Sequence, residues 1–231
     1  MFSVIFEVHP RQERFDDYLS LAGHLKPILE RVDGFIDNER FKSMRRDGWL
    51  LSHSTWRDEK SLVRWRTEGE HHHVQERGRA EIFHDYHLRV GEVTFDSEPP
   101  SGVVIEDARA DETEVGSAKC VSLTEFEIAF GTDPATTPDA LIARLGAPLP
   151  ESDVVDLELF SSITTEGKVA VLISWRSEQT AARWAPSSAA VKSLRHRRVR
   201  VVRDYGLFDR REAPQYYPPV PRSHVDPESR D

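Results

Sequence analysis

The chain has 231 residues, enough for one large domain or two of about 100 residues each; 38% are hydrophobic and can fill a core, while 31% charged residues point to small modules with much surface. A net charge of −9 argues against a nucleic-acid binder, which needs a basic face to displace counterions, and the single Cys120 rules out an internal disulfide and suits a reducing compartment. No leader pattern precedes Pro10 and no apolar run reaches the roughly 18 residues of a membrane span, so a soluble, cytoplasmic protein with neither a membrane nor a nucleic-acid partner is expected.

In chain order, Phe2 to Val8 alternates, with Phe2, Val4, Phe6 and Val8 on one face, and predicts a strand buried mainly on that face. Apolar positions from Phe15 to Val32 recur at helical spacing, with Pro27 expected to kink or split the helix near His24 and Gly34 to close it. Phe35 to Ser43 and Trp49 to Trp56 read as two strands joined by a turn at Arg45-Arg46-Asp47-Gly48. Asp58 is a natural cap for the next helix, which carries Leu62, Val63 and Trp65; Glu70 to Phe83 continues as helix, interrupted near Gly78. Tyr86 to Phe95 is the fourth strand, completing a β-α-β-β-α-β order, the ferredoxin-like motif.

Residues 96–117 are acidic throughout, with Pro99-Pro100 and the lone basic Arg109, and predict a solvated linker. Beyond it the chain repeats itself. Trp56-Arg57-x-Glu59 with Arg64-Trp65 returns as Trp175-Arg176-x-Glu178 with Arg183-Trp184, and Asp37, Glu39, Phe41, Ser43 and Gly48 return as Asp156, Glu158, Phe160, Ser162 and Gly167. The second half reads as a strand over Ala118 to Phe130, a short helix over Asp139 to Leu145 and a hairpin of Asp153 to Thr164 and Lys168 to Trp175. A helix then stops at Pro186, before a last strand over Arg197 to Asp204. The expected architecture is α+β: two ferredoxin-like (β-α-β-β-α-β) modules, residues 1–95 and 118–212, forming a pseudo-dimeric α+β barrel. The Pro-rich tail, 213–231, is expected to be disordered or to wrap over a neighbour, and the fused pair leaves further assembly into a homodimer open.

Three stretches carry a family resemblance: Phe41 to Trp56 with the Arg-Asp-Glu that follows, Trp65 with Glu70-His71, and Gln75-Glu76-Arg77-Gly78-Arg79 leading to Phe83 to Val90. With these the sequence resembles the antibiotic biosynthesis monooxygenase (ABM) superfamily of dimeric α+β barrels. The segment from Arg203 to Pro214 looks like the C-terminal extension of single-module relatives. The resemblance implies the barrel fold and one of several activities: a cofactor-free oxygenase acting on phenolic polyketides, a haem-degrading oxygenase, or no reaction. The cofactor-free chemistry needs a base, donors for a developing oxyanion, and apolar walls.

His71, His72 and His73 point about 100° apart on a helix and cannot converge on one metal. One of them can still face a pocket; the plainer reading is a solvated helix face. Trp65 and Trp184 read first as core. His53 shares a strand face with Leu51 and Thr55 and reads as a hydrogen-bonded core histidine. Asn38 is a candidate amide donor to a ligand carbonyl, though the plainer reading is a partner across the sheet, and Tyr86 with Arg89 is a candidate phenol and cation for an anionic substrate. The basic run from Arg195 to Arg203 reads as the charged face of an edge strand, open to solvent or paired with the acidic linker. Among these, His72, His71, Trp65, Asn38 and Tyr86 form the expected catalytic lining, in the first module, with a small aromatic or polyketide-like substrate and no cofactor or metal. The alternative is a non-enzymatic small-ligand-binding or structural barrel, and a third reading is haem held by one histidine of the trio.

Overall fold

The computed structural model describes residues 1–128, 137–148, 153–187 and 191–221. The first half contains β1 (Phe2–Pro10), α1 (Phe15–Leu29), β2 (Phe35–Ser43), β3 (Leu50–Trp56), α2 (Glu59–Arg66), α3 (Gly69–Arg77) and β4 (Phe83–Asp96). The second contains β5 (Cys120–Glu127), α4 (Pro138–Leu145), β6 (Val154–Ser162), β7 (Lys168–Trp175), α5 (Glu178–Arg183) and β8 (Lys192–Gly206). The reach of the fifth strand to Phe130 and the tail beyond residue 221 lie outside the described residues.

Local chemistry explains most boundaries. Pro27 does not split α1, which ends two residues later; in the last turn a proline forfeits one hydrogen bond, to the carbonyl of Gly23, and little follows it to disrupt. Asp58 caps α2 by accepting the Ser61 N–H at 2.8 Å. Gly78 opens a π-turn (Gly78–Ile82) between α3 and β4, where a Cβ would lie 2.5 Å from the Phe83 ring. Gly48 and Gly167, at equivalent places in the two hairpins, both hold positive φ, 73° and 82°.

The eight strands close in the order β1-β3-β2-β6-β7-β5-β8-β4. Each half therefore has the same internal order, β4-β1-β3-β2 in the first and β8-β5-β7-β6 in the second. The seams are unequal. β4 and β8 pair from His87↔Gly206 to Asp96↔Arg197, whereas β2 and β6 meet only at Phe41↔Ser162, Lys42↔Ser161 and Ser43↔Phe160.

Closure overturns two expectations. β1 is buried on both faces, with Ser3, Ile5 and Glu7 turned into the barrel and Phe2, Val4, Phe6 and Val8 turned out beneath the helices. β8 is not an edge strand, because it lies between β5 and β4. Its arginines are consequently paired: Arg197 is buried against Glu125, Arg195 reaches Asp96 (2.8 Å), and Arg200 binds Asp107 (2.5 Å) and Glu178 (2.7 Å). The barrel interior is filled by Ile5, Phe41, Leu51, Val121, Leu123 and Phe160, with ion pairs such as Glu7 to Arg89 and Arg46 beside them.

Residues 96–117 are held to the body more firmly than a solvated linker would be. Glu92, itself buried, accepts the N–H groups of Ala108 (3.2 Å) and Arg109 (3.0 Å), Arg109 pairs with Glu59 (2.6 Å), and the Thr113 N–H bonds the Val201 carbonyl (2.7 Å). In the second half α5 stops before Pro186, and the space under it is packed by Leu141, Leu145, Trp175 and Trp184.

Candidate active site

Among the described residues only the first half has three helices over its sheet, and between them lies a cavity of about 190 Å³. Val4, Phe6 and Leu88 on the outer sheet face, with Leu21 and Leu25 of α1, make its walls largely apolar. Residues 210–217 cross the open side and contribute Arg210, Gln215 and Tyr217. The tail expected to be free or to wrap a neighbour therefore closes the cavity of its own chain as far as it is described.

The histidine trio diverges as helix geometry requires. His73 is exposed. His72 turns to the tail, with Nδ1 3.0 Å from the Tyr217 hydroxyl and the two rings stacked at 5.4 Å; it does not line the cavity. His71 does. Its N–H is fixed by the Glu68 carboxylate (2.8 Å), its ring lies flat on Trp65 at 3.9 Å, and its Nδ1 sits 2.9 Å from the Trp65 carbonyl oxygen. A carbonyl can only accept, so Nδ1 carries the hydrogen and Nε2 keeps a lone pair. Burial disfavours the imidazolium and lowers the His71 pKa to about 4. Nε2 bonds no other group among the described residues. Trp65 thus serves as core, stacked on Trp56, and as the shelf that orients His71.

Asn38 lines the cavity and takes its partners across the sheet, in line with the plainer of its two readings. Both amide hydrogens are donated across the sheet, to Ser52 Oγ (3.2 Å) and the His53 carbonyl (2.8 Å), so only Oδ1 remains for a ligand. Ser52 and Ser54 line the same wall. Their oxygens already accept from Asn38 Nδ2 and from Trp56 Nε1 (3.0 Å), which leaves both hydroxyl hydrogens to donate. Tyr86 lines the cavity and its hydroxyl oxygen accepts from Arg79 Nη1 and Arg210 Nη1, each at 2.7 Å.

Arg89 does not join Tyr86. Alternation sends it into the barrel, where it binds Glu7 and Ser174 Oγ (2.6 Å). His53 is likewise interior, 1% exposed and 2.8 Å from Ser3 Oγ, as a core histidine should be. Sequence reasoning passed over Arg79, Arg210 and Tyr217. Arg79 and Arg210 both stood inside family-like stretches, but nothing local marks residues 210 and 217 as neighbours of Tyr86. Among the described residues no group of three or more His, Cys, Asp or Glu could hold a metal ion, and no helix is long and apolar enough to cross a membrane.

Comparison with known proteins decides the family. The model of the antibiotic biosynthesis monooxygenase family matches residues 1–77. The jasmonate monooxygenase ABM of Pyricularia oryzae is 44% identical over 225 residues, covering 95% of this chain and 100% of that protein. The chain belongs to the ABM family. Among solved structures, an aldoxime dehydratase shares the fold with a TM-score of 0.51 at 14% identity, over 87% of this chain and 80% of that one. An anthrone oxidase-like protein superposes more loosely, with a TM-score of 0.35 at 17% identity over 93% and 96% of the two chains. The family model stops at Arg77, so it takes in Trp65 and His71 but none of the residues that cross the cavity from the second half.

Proposed function

We propose that this ABM-family chain is a cofactor-independent monooxygenase whose site is the first-half cavity, with His71 as base. The observation that carries the proposal is the orientation of His71: Nε2 unprotonated, unpartnered and in an apolar cavity. The substrate is a small, mostly apolar compound with a C–H bond beside a carbonyl. A jasmonate, which joins a ring ketone to a carboxylate arm, has this character, and the Pyricularia oryzae relative is named for it.

His71 Nε2 takes a proton from the CH₂ next to the carbonyl, and the electron pair moves onto the carbonyl oxygen. Ser52 and Ser54 supply hydroxyl hydrogens to that oxyanion. In the empty cavity burial keeps the imidazole neutral; the enolate formed beside it stabilises the imidazolium, so basicity rises as charge develops. The carbanion passes one electron to O₂, and the resulting radical and superoxide combine into a peroxide, which the imidazolium protonates. Loss of water, which takes the second C–H proton, breaks the O–O bond, and the balance is R₂CH₂ + O₂ → R₂C=O + H₂O, with all four electrons from the substrate carbon.

Haem suits this cavity poorly. About 190 Å³ is below the roughly 300–1,000 Å³ of pockets for drug-sized ligands, and a porphyrin needs more. We also infer that the halves are tandem ferredoxin-like modules fused into a pseudo-dimer. The shared strand order and the paired positive-φ glycines support this.

The test is oxygen uptake by chelator-treated, flavin-free and haem-free protein given jasmonic acid under ¹⁸O₂, with one labelled atom expected in the product and one in water. His71→Ala should lower kcat by about 10²–10⁴, the range for a lost general base. Turnover that requires added haem or flavin defeats cofactor independence, and tight binding without any turnover makes the protein a carrier.

A further inference from the structure

Two guanidinium groups, Arg79 and Arg210, converge on the single hydroxyl of Tyr86 at one end of the cavity, each at 2.7 Å. Arg79 is only 4% exposed. Its Nη1 hydrogens are used on Tyr86 Oη and on the Leu207 carbonyl (3.2 Å), while its Nε is buried with no partner and its Nη2 bonds nothing among the described residues. Arg210 spends Nη1 on Tyr86 and Nη2 on the Gln215 carbonyl (2.9 Å). Tyr217 lies between the cations, its ring 5.4 Å from the Arg79 guanidinium and 5.5 Å from that of Arg210.

Neither arginine forms an ion pair among the described residues. This sets them apart from the fully buried arginines of the barrel, Arg89 and Arg197, each of which meets a glutamate. Glu76 is near enough to act on the Tyr217 hydroxyl, yet it pairs with neither cation. Like charges held on one oxygen repel, and an unpaired buried cation is among the costlier features a fold can keep. The unused edge of Arg79, Nε with Nη2, is also the planar fork that meets a carboxylate bidentately. The Tyr86 oxygen accepts both arginines, so its own hydrogen is free for a third acceptor.

Resting on the oxygenase reading of the same cavity, we propose that Arg79, Arg210 and Tyr86 form a carboxylate clamp that makes the enzyme selective for anionic substrates over their neutral esters. The charged arm docks at the Arg79–Arg210 end, and the carbonyl end of the molecule is left to Ser52, Ser54 and His71 on the facing walls. His71 acts on the substrate; the clamp decides which substrate is presented to it.

The experiment measures binding to the full-length protein by tryptophan fluorescence, for jasmonic acid and octanoic acid against their methyl esters. The wild type is expected to favour each acid over its ester at least tenfold. In Arg79→Gln and Arg210→Gln that ratio falls toward one, with ester affinity little changed. Arg79→Lys, which keeps charge but loses the fork, falls between. A thermal melt of the unliganded proteins guards against a merely structural role: removing an unpaired cation should leave Tm unchanged or raise it. Equal affinity for acid and ester in the wild type, an acid-to-ester ratio that survives both Gln variants, or a lower Tm in both overturns the clamp. Failure of the oxygenase reading shows separately, as absence of oxygen uptake with the ratio intact.

Discussion

At the scale of single residues, the proposed oxygenase chemistry depends on which nitrogen of which histidine faces the cavity. Burial penalises the charged ring of His71 and lowers its pKa to about 4, so the base is already deprotonated above that value. The acid limb of kcat/KM should therefore fall near pH 4 instead of near 6.5, the ordinary value for histidine. A pH–rate profile measured with a non-titrating substrate ester reads this directly, and a limb near 6.5 points to a base other than His71. Helix geometry alone tells that the trio must diverge. It does not tell which member turns inward, because that depends on the Glu68 cap, the Trp65 shelf and the tail that engages His72. Asn38 carries the same lesson: its place on the sheet face was legible, but its free polarity depends on the cross-strand bonds to Ser52 and His53.

At the scale of elements, the punctuation of the chain was readable wherever it is local. Asp58 is one case, the side chain accepting from Ser61 N–H and Ser61 Oγ, both at 2.8 Å. Asp58→Ala should cost about 1 kcal/mol, and for a chain of this size lower Tm by roughly 2–4 °C. The loss should appear equally with and without jasmonic acid, because Asp58 does not line the cavity. Thr137 capping α4 and Pro186 ending the second copy are of the same local kind. Elements were misjudged where the deciding partner is distant in sequence. β8 looked like an edge strand because its arginines have no local reason to be buried; pairing with the 96–117 segment was foreseen and is found between Arg200 and Asp107, but the carboxylates of β5 and α5 were not. Pro27 was overrated because the kink it imposes depends on how much helix follows.

At the scale of the whole molecule, the closed barrel buries polar groups that an open sheet would leave wet, and acid should find them. Burial depresses the pKa of His53 well below its ordinary value and those of His71 and His196 to about 4. An unfolded chain binds protons at these residues near pH 6.5, while the folded one refuses them until much lower, so stability should fall as pH drops from 6.5 toward 4. Glu7 and Glu39, held below the ordinary carboxylate range against burial by arginine, lysine and hydroxyl partners, extend the loss below about pH 4.5, and Asp85, pushed up by burial, opposes it. Thermal melts at fixed ionic strength across this range should show a steady decline in Tm, and a level Tm between pH 6.5 and 4.5 contradicts it. The barrel itself was legible from the internal repeat; the unequal seams and the crossing of residues 210–217 were not, since both are matters of long-range pairing. That crossing has a consequence for how the protein comes into being. The cavity wall starts at Val4 and is finished at Tyr217. On the proposed reading, a nascent chain on the ribosome therefore has no complete site until residue 217 has emerged, although the family-like segment left the tunnel long before. A proteolytic nick that frees the region after β8 likewise removes one wall of the cavity while leaving that segment whole.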